Sequence, residues 1–225
     1  MSGGIAQLVA VGAQDAHIVG NPEVSFFRST YKRHTNFAQT VEKQVIQGNP
    51  ATNGMSTVRF ERKGDMLGHV YITNRSPANS TRVEWKNQIK KVELLIGGQV
   101  IDTQTSEFSQ EIVPVMLSQT YSKSLAAAAA DKSAVYPLRF SFCENAQSAL
   151  PLIALQYHDV EIRISWNAVS ATDYEVHAQF VYLDTDERTA LSSAPQNMLI
   201  TQTQQSIASG NTLQELNYNH PIKFI

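Results

Sequence analysis

Charge is scarce in this chain. Only 17% of its 225 residues are Asp, Glu, Lys or Arg, against the roughly 25% usual in soluble domains. The 18 basic and 20 acidic residues nearly cancel, leaving a net charge of -2. A dedicated nucleic-acid binder carries a strong basic excess, so the balance speaks against that class. Cysteine is almost absent as well. The single thiol, Cys143, rules out an intrachain disulfide and with it a small bridge-stapled scaffold, and a reducing compartment is the simpler reading. No stretch approaches the ~20 apolar residues of a membrane-spanning helix. The first twenty residues have no basic leading region and are interrupted by Gln7, Gln14, Asp15 and His17, unlike a signal peptide.

Catalytic motifs are missing too. There is no G-x-S-x-G elbow, P-loop, G-x-G-x-x-G or HExxH. The histidines (His17, His34, His69, His158, His177 and His220) include no pair at i, i+2 or i, i+4. A cupin-type metal site needs such a pair on one strand, so that both imidazoles face one cavity. His158 lies beside Asp159 and Glu161, but strand alternation already explains those carboxylates as a solvated face. Cys143 has no neighbouring base to activate it and reads as a small buried hydrophobe in a strand-like run. No catalytic, cofactor or metal residue is assigned, and the chain reads as a non-enzyme that needs no cofactor.

What is present is alternation. Val160, Ile162, Ile164 and Trp166 interleave with Glu161, Arg163 and Ser165, while Tyr174, Val176, Ala178, Phe180 and Tyr182 interleave with Glu175, His177 and Gln179. Val92, Leu94 and Ile96 alternate with Lys91 and Glu93, and Val58 and Phe60 with Thr57, Arg59 and Glu61. A period of two marks half-buried antiparallel strands. Further candidates are 40–47, 66–73, 135–142 and 152–157. Gly97-Gly98 suits a two-residue hairpin turn; Gly48–Gly54 and Arg62–Asp65 are loops. Eight or more short strands so spaced predict an all-β sandwich or barrel, with Leu, Ile, Val and Phe frequent enough to exclude disorder.

Helix is the minor component. Residues 105–119 suggest a short helix capped by Thr105 and broken or restarted at Pro114. Residues 122–132, with alanines from Ala126 to Ala130, have helix propensity without an amphipathic stripe and read as a surface excursion. Residues 190–205 look like a linker with the option of pairing as an edge strand. Residues 216–225 begin a new apolar run, and the chain reads as a fragment that stops inside it.

Three surface features invite function. Arg28, Lys32, Arg33 and His34 interleave with Phe26, Phe27, Tyr31 and Phe37; nucleic-acid contact competes there with a structural segment whose aromatics are core, and the structural account is favoured. Sequons occur at Asn74 and Asn79, in a polar stretch (74–82) that reads as an exposed loop. Pro77 impairs the first, so Asn79 is the glycan candidate. Trp85 and Trp166 are candidate stacking platforms for a lectin-like, glycan-binding jelly roll, although Trp166 lies on an apolar face.

The order of longer blocks is more specific. Asn21-Pro22-Glu23-Val24-Ser25-Phe26-Phe27-Arg28 followed by Tyr31-Lys32-Arg33-His34-Thr35-Asn36-Phe37-Ala38 resembles the N-terminal signature of the major capsid proteins of large icosahedral DNA viruses, the algal-virus and iridovirus-like group. Gly64–Leu67, Val92–Asp102, Ala149–Val160 and Leu183–Arg188 match in the same order, and Gly3–Ala10 with Gly12–Asp15 is similar to the algal-virus branch. The resemblance implies a double jelly roll that trimerises into a pseudo-hexagonal capsomer of the virion shell, assembled in the host cytoplasm. It implies an N-terminal arm (1–22), a first jelly roll (23–190), a connector (191–215) and the start of a second jelly roll (216–225). Implied partners are further copies, minor capsid and penton proteins, and an internal membrane layer near the arm, with no specific nucleic acid. Residues 122–132 are then the candidate trimer or outer-surface contact.

Overall fold

The computed structural model describes residues 3–10, 12–19, 27, 35–74, 84–116, 135–168, 174–206, 210 and 213–225. It divides into two units, 1–36 and 37–225. Among the described residues of the first are two short helices, Gly3–Val9 and Ala13–Val19. The candidate contact 122–132, the glycan candidate Asn79 and the cations Arg28, Lys32, Arg33 and His34 lie outside the described residues.

The described residues of the second unit form ten strands: β1 (Ala38–Gln44), β2 (Ile46–Gln47), β3 (Met55–Arg59), β4 (Met66–Asn74), β5 (Ile89–Ile96), β6 (Gln99–Thr105), β7 (Val135–Pro137), β8 (Leu150–Pro151), β9 (Val160–Trp166) and β10 (Tyr174–Tyr182). They form two antiparallel sheets. One runs β1-β10-β4-β7, with β8 also on β4; the other runs β2-β3-β9-β5-β6. The neighbours are mostly far apart in sequence. Ala38 pairs with Tyr182, so the first strand of the sandwich closes against the last. This interleaved order is that of a jelly roll.

The alternation predicts the core face correctly. Val160, Ile162, Ile164 and Trp166 of β9, and Tyr174, Val176, Ala178 and Phe180 of β10, are buried, and they join Val58, Leu67, Val70, Ile72, Val92 and Leu94 in one apolar cluster between the sheets. Three irregularities break the period, one of them at the start of β5, where Ile89 pairs with Trp166 but Lys91 with Ser165. In β4, Leu67 and Val70 are both buried although three positions apart, because Ala178 pairs with Val70 while Phe180 pairs with Leu67. Gly68 and His69 thus oppose Gln179 alone, and the bulge restores the inward phase. In β5, Glu93 and Leu95 are buried along with Val92 and Leu94. Leu94 pairs with Asp102 but Leu95 with Val100, leaving Ile101 as a bulge, and four consecutive buried residues make β5 buried on both faces, beyond the half-buried strand expected.

Several expectations are corrected. Of 135–142 only Val135–Pro137 forms a ladder; Ser141–Cys143 is a 3-10 turn that places both Phe142 and Cys143 inside. Residues 152–157 form successive turns, not a strand. Backbone bonds close the turns, Leu155 N donating to Leu152 O at 3.2 Å, and Arg62 donates to Leu155 O at 2.6 Å, to Gln156 O and to the following His158 O at 3.2 Å, leaving less for a neighbouring strand to bind. The expected helix after Thr105 exists, with Phe108 N donating to Thr105 Oγ1 at 3.3 Å. It widens into a π-turn at Phe108–Ile112 and continues without a break as Val113–Met116, so Pro114 neither breaks nor restarts it as expected; the wider turn just before it accommodates the missing N–H.

Beyond β10 the chain forms a helix, Thr185–Ser193, with Asp184 accepting from Thr185 N at 2.7 Å. The segment 194–206 makes no ladder, and residues 213–225 carry no regular structure. The strand expected from 216 is therefore not formed here: an apolar run becomes a strand only where another strand supplies its hydrogen bonds.

Candidate functional site

The carboxylates near β9 face β3. Asp159 Oδ2 lies 2.8 Å from Arg59 Nη2, and Glu161 sits opposite Arg59 in the β3–β9 ladder. The His158 ring packs on the hairpin turn, where a Cβ on Gly97 would come within 2.7 Å of Nδ1. Among the described residues no group of three His, Cys, Asp or Glu is placed to hold a metal ion. Gly97 and Gly98 adopt φ of 60° and 81°, the doubly left-handed turn expected of a two-residue hairpin.

The aromatic platforms are internal. Trp85 and Trp166 are each 1% exposed. Trp166 Nε1 donates to Ser56 Oγ at 2.9 Å, and its ring lies 4.5 Å from that of Tyr174. Tyr174 OH in turn donates to Gln88 Oε1 at 2.6 Å. A sugar cannot stack on rings that the core already covers, so these residues do not support the lectin-like reading. Conversely, Phe27 and Phe37, expected as core, are 97% and 45% exposed. Asn74, whose sequon was expected in an exposed loop, is the buried last residue of β4.

Cys143 is buried as expected. Its Sγ lies 3.7 Å from Gly68 O, and burial pushes the thiol pKa up to about 12, far from the thiolate that reactivity requires.

What the sequence reading missed is a set of polar anchors inside the family-like blocks. Gly64 sits so close to β10 that an added Cβ would meet Phe180 Cβ at 2.8 Å. The next residue, Asp65, accepts from Leu183 N at 2.8 Å and lies 3.0 Å from Arg188 Nε. Two blocks more than a hundred residues apart are thereby tied together. Asp102, ending a third block, is buried on β6 and accepts from Thr203 N at 2.8 Å, Thr103 N at 2.9 Å and Gln104 Nε2 at 2.8 Å. Gln104 Nε2 also donates to Arg139 O at 2.8 Å. Burial raises the Asp102 pKa and outweighs the three N–H bonds that oppose it. The only sequence signal was a carboxylate at an inward position of an alternating strand, where a satisfied partner is required.

The fold and its interior thus define a class: a jelly-roll sandwich whose recognisable motifs serve packing and chain anchoring. The particular family follows from comparison. The family described as "Major capsid protein N-terminus" matches residues 25–212, and the chain belongs to it. It is similar to the major capsid protein of Pyramimonas orientalis virus, at 35% identity over 99% of this chain and 64% of that protein. It is 31% identical to the major capsid protein of Paramecium bursaria Chlorella virus 1, over 100% of this chain and 60% of that one. Capsid protein 1 of Acanthamoeba polyphaga mimivirus is 31% identical over 48% of its length. The chain thus spans between about half and two thirds of these relatives. A solved PBCV-1 virus capsid, a quasi-atomic model, shares the fold, with a TM-score of 0.59 at 24% identity over 79% of this chain and 50% of that one.

Proposed function

We propose that this chain is the first jelly roll of a virion shell protein that forms homotrimeric, pseudo-hexagonal capsomers and tiles an icosahedral capsid around double-stranded DNA. The observation that carries the reading is the extent of the family match, 25–212, laid over a sandwich whose first and last strands pair. The mechanism is physical. Packed sheets supply a stiff brick, and near-neutral charge avoids the single-sign repulsion that would oppose close tiling. Loops carry the contacts between copies, with 122–132 the proposed trimer or outer-surface element and Asn79 the proposed glycan acceptor. The proposed division keeps the arm at 1–22, the jelly roll at 23–190, the connector at 191–215 and a second jelly roll beginning at 216. The arm is proposed to meet minor capsid proteins or the layer over an internal membrane; its helix Gly3–Val9 presents exposed Ile5 and Val9. Penton proteins are the proposed neighbours at the vertices, and the host cytoplasm the proposed site of assembly.

The test is native mass spectrometry of the protein from its full reading frame, followed by electron microscopy of particles. A stable trimer and density for this sandwich in the shell are expected. A protein that stays monomeric at micromolar concentration, or particles whose shell lacks it, refutes the proposal.

A further inference from the structure

The chain that follows β10 is held at two points by carboxylates from opposite sheets. At its start, Asp65, on the turn into β4, holds Leu183 N and Arg188 Nε. At its far end, Asp102 of β6 holds Thr203 N, and Gln202 Nε2 donates to the adjacent Ile101 O at 2.6 Å. Between the two points, the helix Thr185–Ser193 buries no residue, and residues 194–202 are exposed throughout. Hydrophobic burial therefore does not hold this stretch, and an ordered segment needs something to offset its conformational entropy. Polar tethers at its ends do so, and both carboxylates are shielded: the Asp65 side chain is 11% exposed and Asp102 is 5% exposed. Removing such an acceptor leaves its N–H partners without it, which is costly where they are shielded from water.

We propose that Asp65 and Asp102 are paired clasps that fix residues 183–203 as a strap on the jelly roll, setting the direction in which the chain leaves it. A connector so held is a positioning element and not a free linker. Its value for orienting a following jelly roll rests on the capsid reading above; the clasping does not.

The experiment uses the full chain under limited proteolysis, scoring cleavage within 194–206. Near-ultraviolet circular dichroism reports the sandwich through its buried tryptophans. Asp65→Ala, Asp102→Ala and the double variant are each expected to speed that cleavage about tenfold or more, as expected when a strong hydrogen bond gating local opening is lost, with the tryptophan signal kept. Should removal of a buried carboxylate unfold the sandwich, Thr203→Pro and Arg188→Ala delete the partners from the strap side and are expected to give the same acceleration. Cleavage within twofold of the parent in these two variants, or in a folded double variant, overturns the proposal. A parent that never trimerises while the variants still cleave faster overturns the capsid reading and leaves the clasps standing.

Discussion

Gly64→Ala tests whether steric fit, and not backbone freedom, explains the glycine that opens the Gly64–Leu67 block. An alanine Cβ there would lie 2.8 Å from Phe180 Cβ and 3.1 Å from Val181 O. Neither atom is the free end of a side chain that can swing aside. Phe180 is fully buried on β10, which is paired on both edges, to β1 and β4, and Asp65 N donates to the same Val181 O at 2.9 Å. Relief thus requires β10 or the turn to move, disturbing the packing on both. Overpacking of this kind costs about 1–3 kcal/mol. At roughly 2–4 °C per kcal/mol for a domain of this size, the melting temperature should fall by about 2–12 °C. Trimming the ring with Phe180→Leu leaves the offending Cβ in place and should not rescue the variant. Two other glycines calibrate the result in the same calorimetric assay. Gly210 has nothing within 4 Å of an added Cβ, so Gly210→Ala should stay within about 0.5 kcal/mol of the parent. Gly98 has equally open space but a φ of +81°, so Gly98→Ala should cost on the order of 1–2 kcal/mol through backbone strain alone. A Gly64→Ala protein that melts with the parent would refute the steric account.

Other expectations follow from the interior. Cys143 should resist thiol alkylation in the native protein and react only at the rate of unfolding, because its pKa is pushed up to about 12 by burial; rapid labelling under native conditions would contradict its placement. Asp102 has a raised pKa in the folded chain, so its contribution to stability is greatest while it is protonated and is lost as pH rises through the folded value. Melting temperatures of the parent should therefore fall relative to Asp102→Asn as pH rises from about 3 toward neutrality, and a pH-independent difference would refute that sign. Trp166→Phe removes the donor to Ser56 Oγ inside the core and should cost about 1–3 kcal/mol by leaving a buried hydroxyl without it; oligosaccharides, by contrast, should leave tryptophan fluorescence unchanged.

The strands that were legible in the sequence are those with an apolar residue at every second position and a wet opposite face. β9 and β10 fit that description, and their buried residues are those the pattern selects. The pattern failed where a tertiary partner changed the local rule. Residues 152–157 are apolar enough for a strand, yet they fold into turns, and Arg62, about ninety residues earlier, takes the carbonyls of Leu155 and Gln156. Phe142 and Cys143 are adjacent and both buried because a 3-10 turn, not a pleat, carries them. Trp85 looked available as a platform because a single aromatic in a polar stretch gives no sign of the rings of Tyr136 and Tyr174 packed against it at 5.7 Å and 6.2 Å. The order of family-like blocks was readable without coordinates, but the reason that Asp65 and Arg188 belong together was not.

The amino-acid order alone settled which side chains of β9 and β10 enter the core and where the Gly97-Gly98 hairpin turns, since both depend on neighbours within a few residues. Tertiary structure decided strand order, the bulges at Gly68-His69 and Ile101, and the anchoring of the segment after β10 by Asp65 and Asp102. Those features arise from groups brought together across as many as a hundred residues or more, and a local pattern carries no information about which distant carbonyl or carboxylate will complete a hydrogen bond.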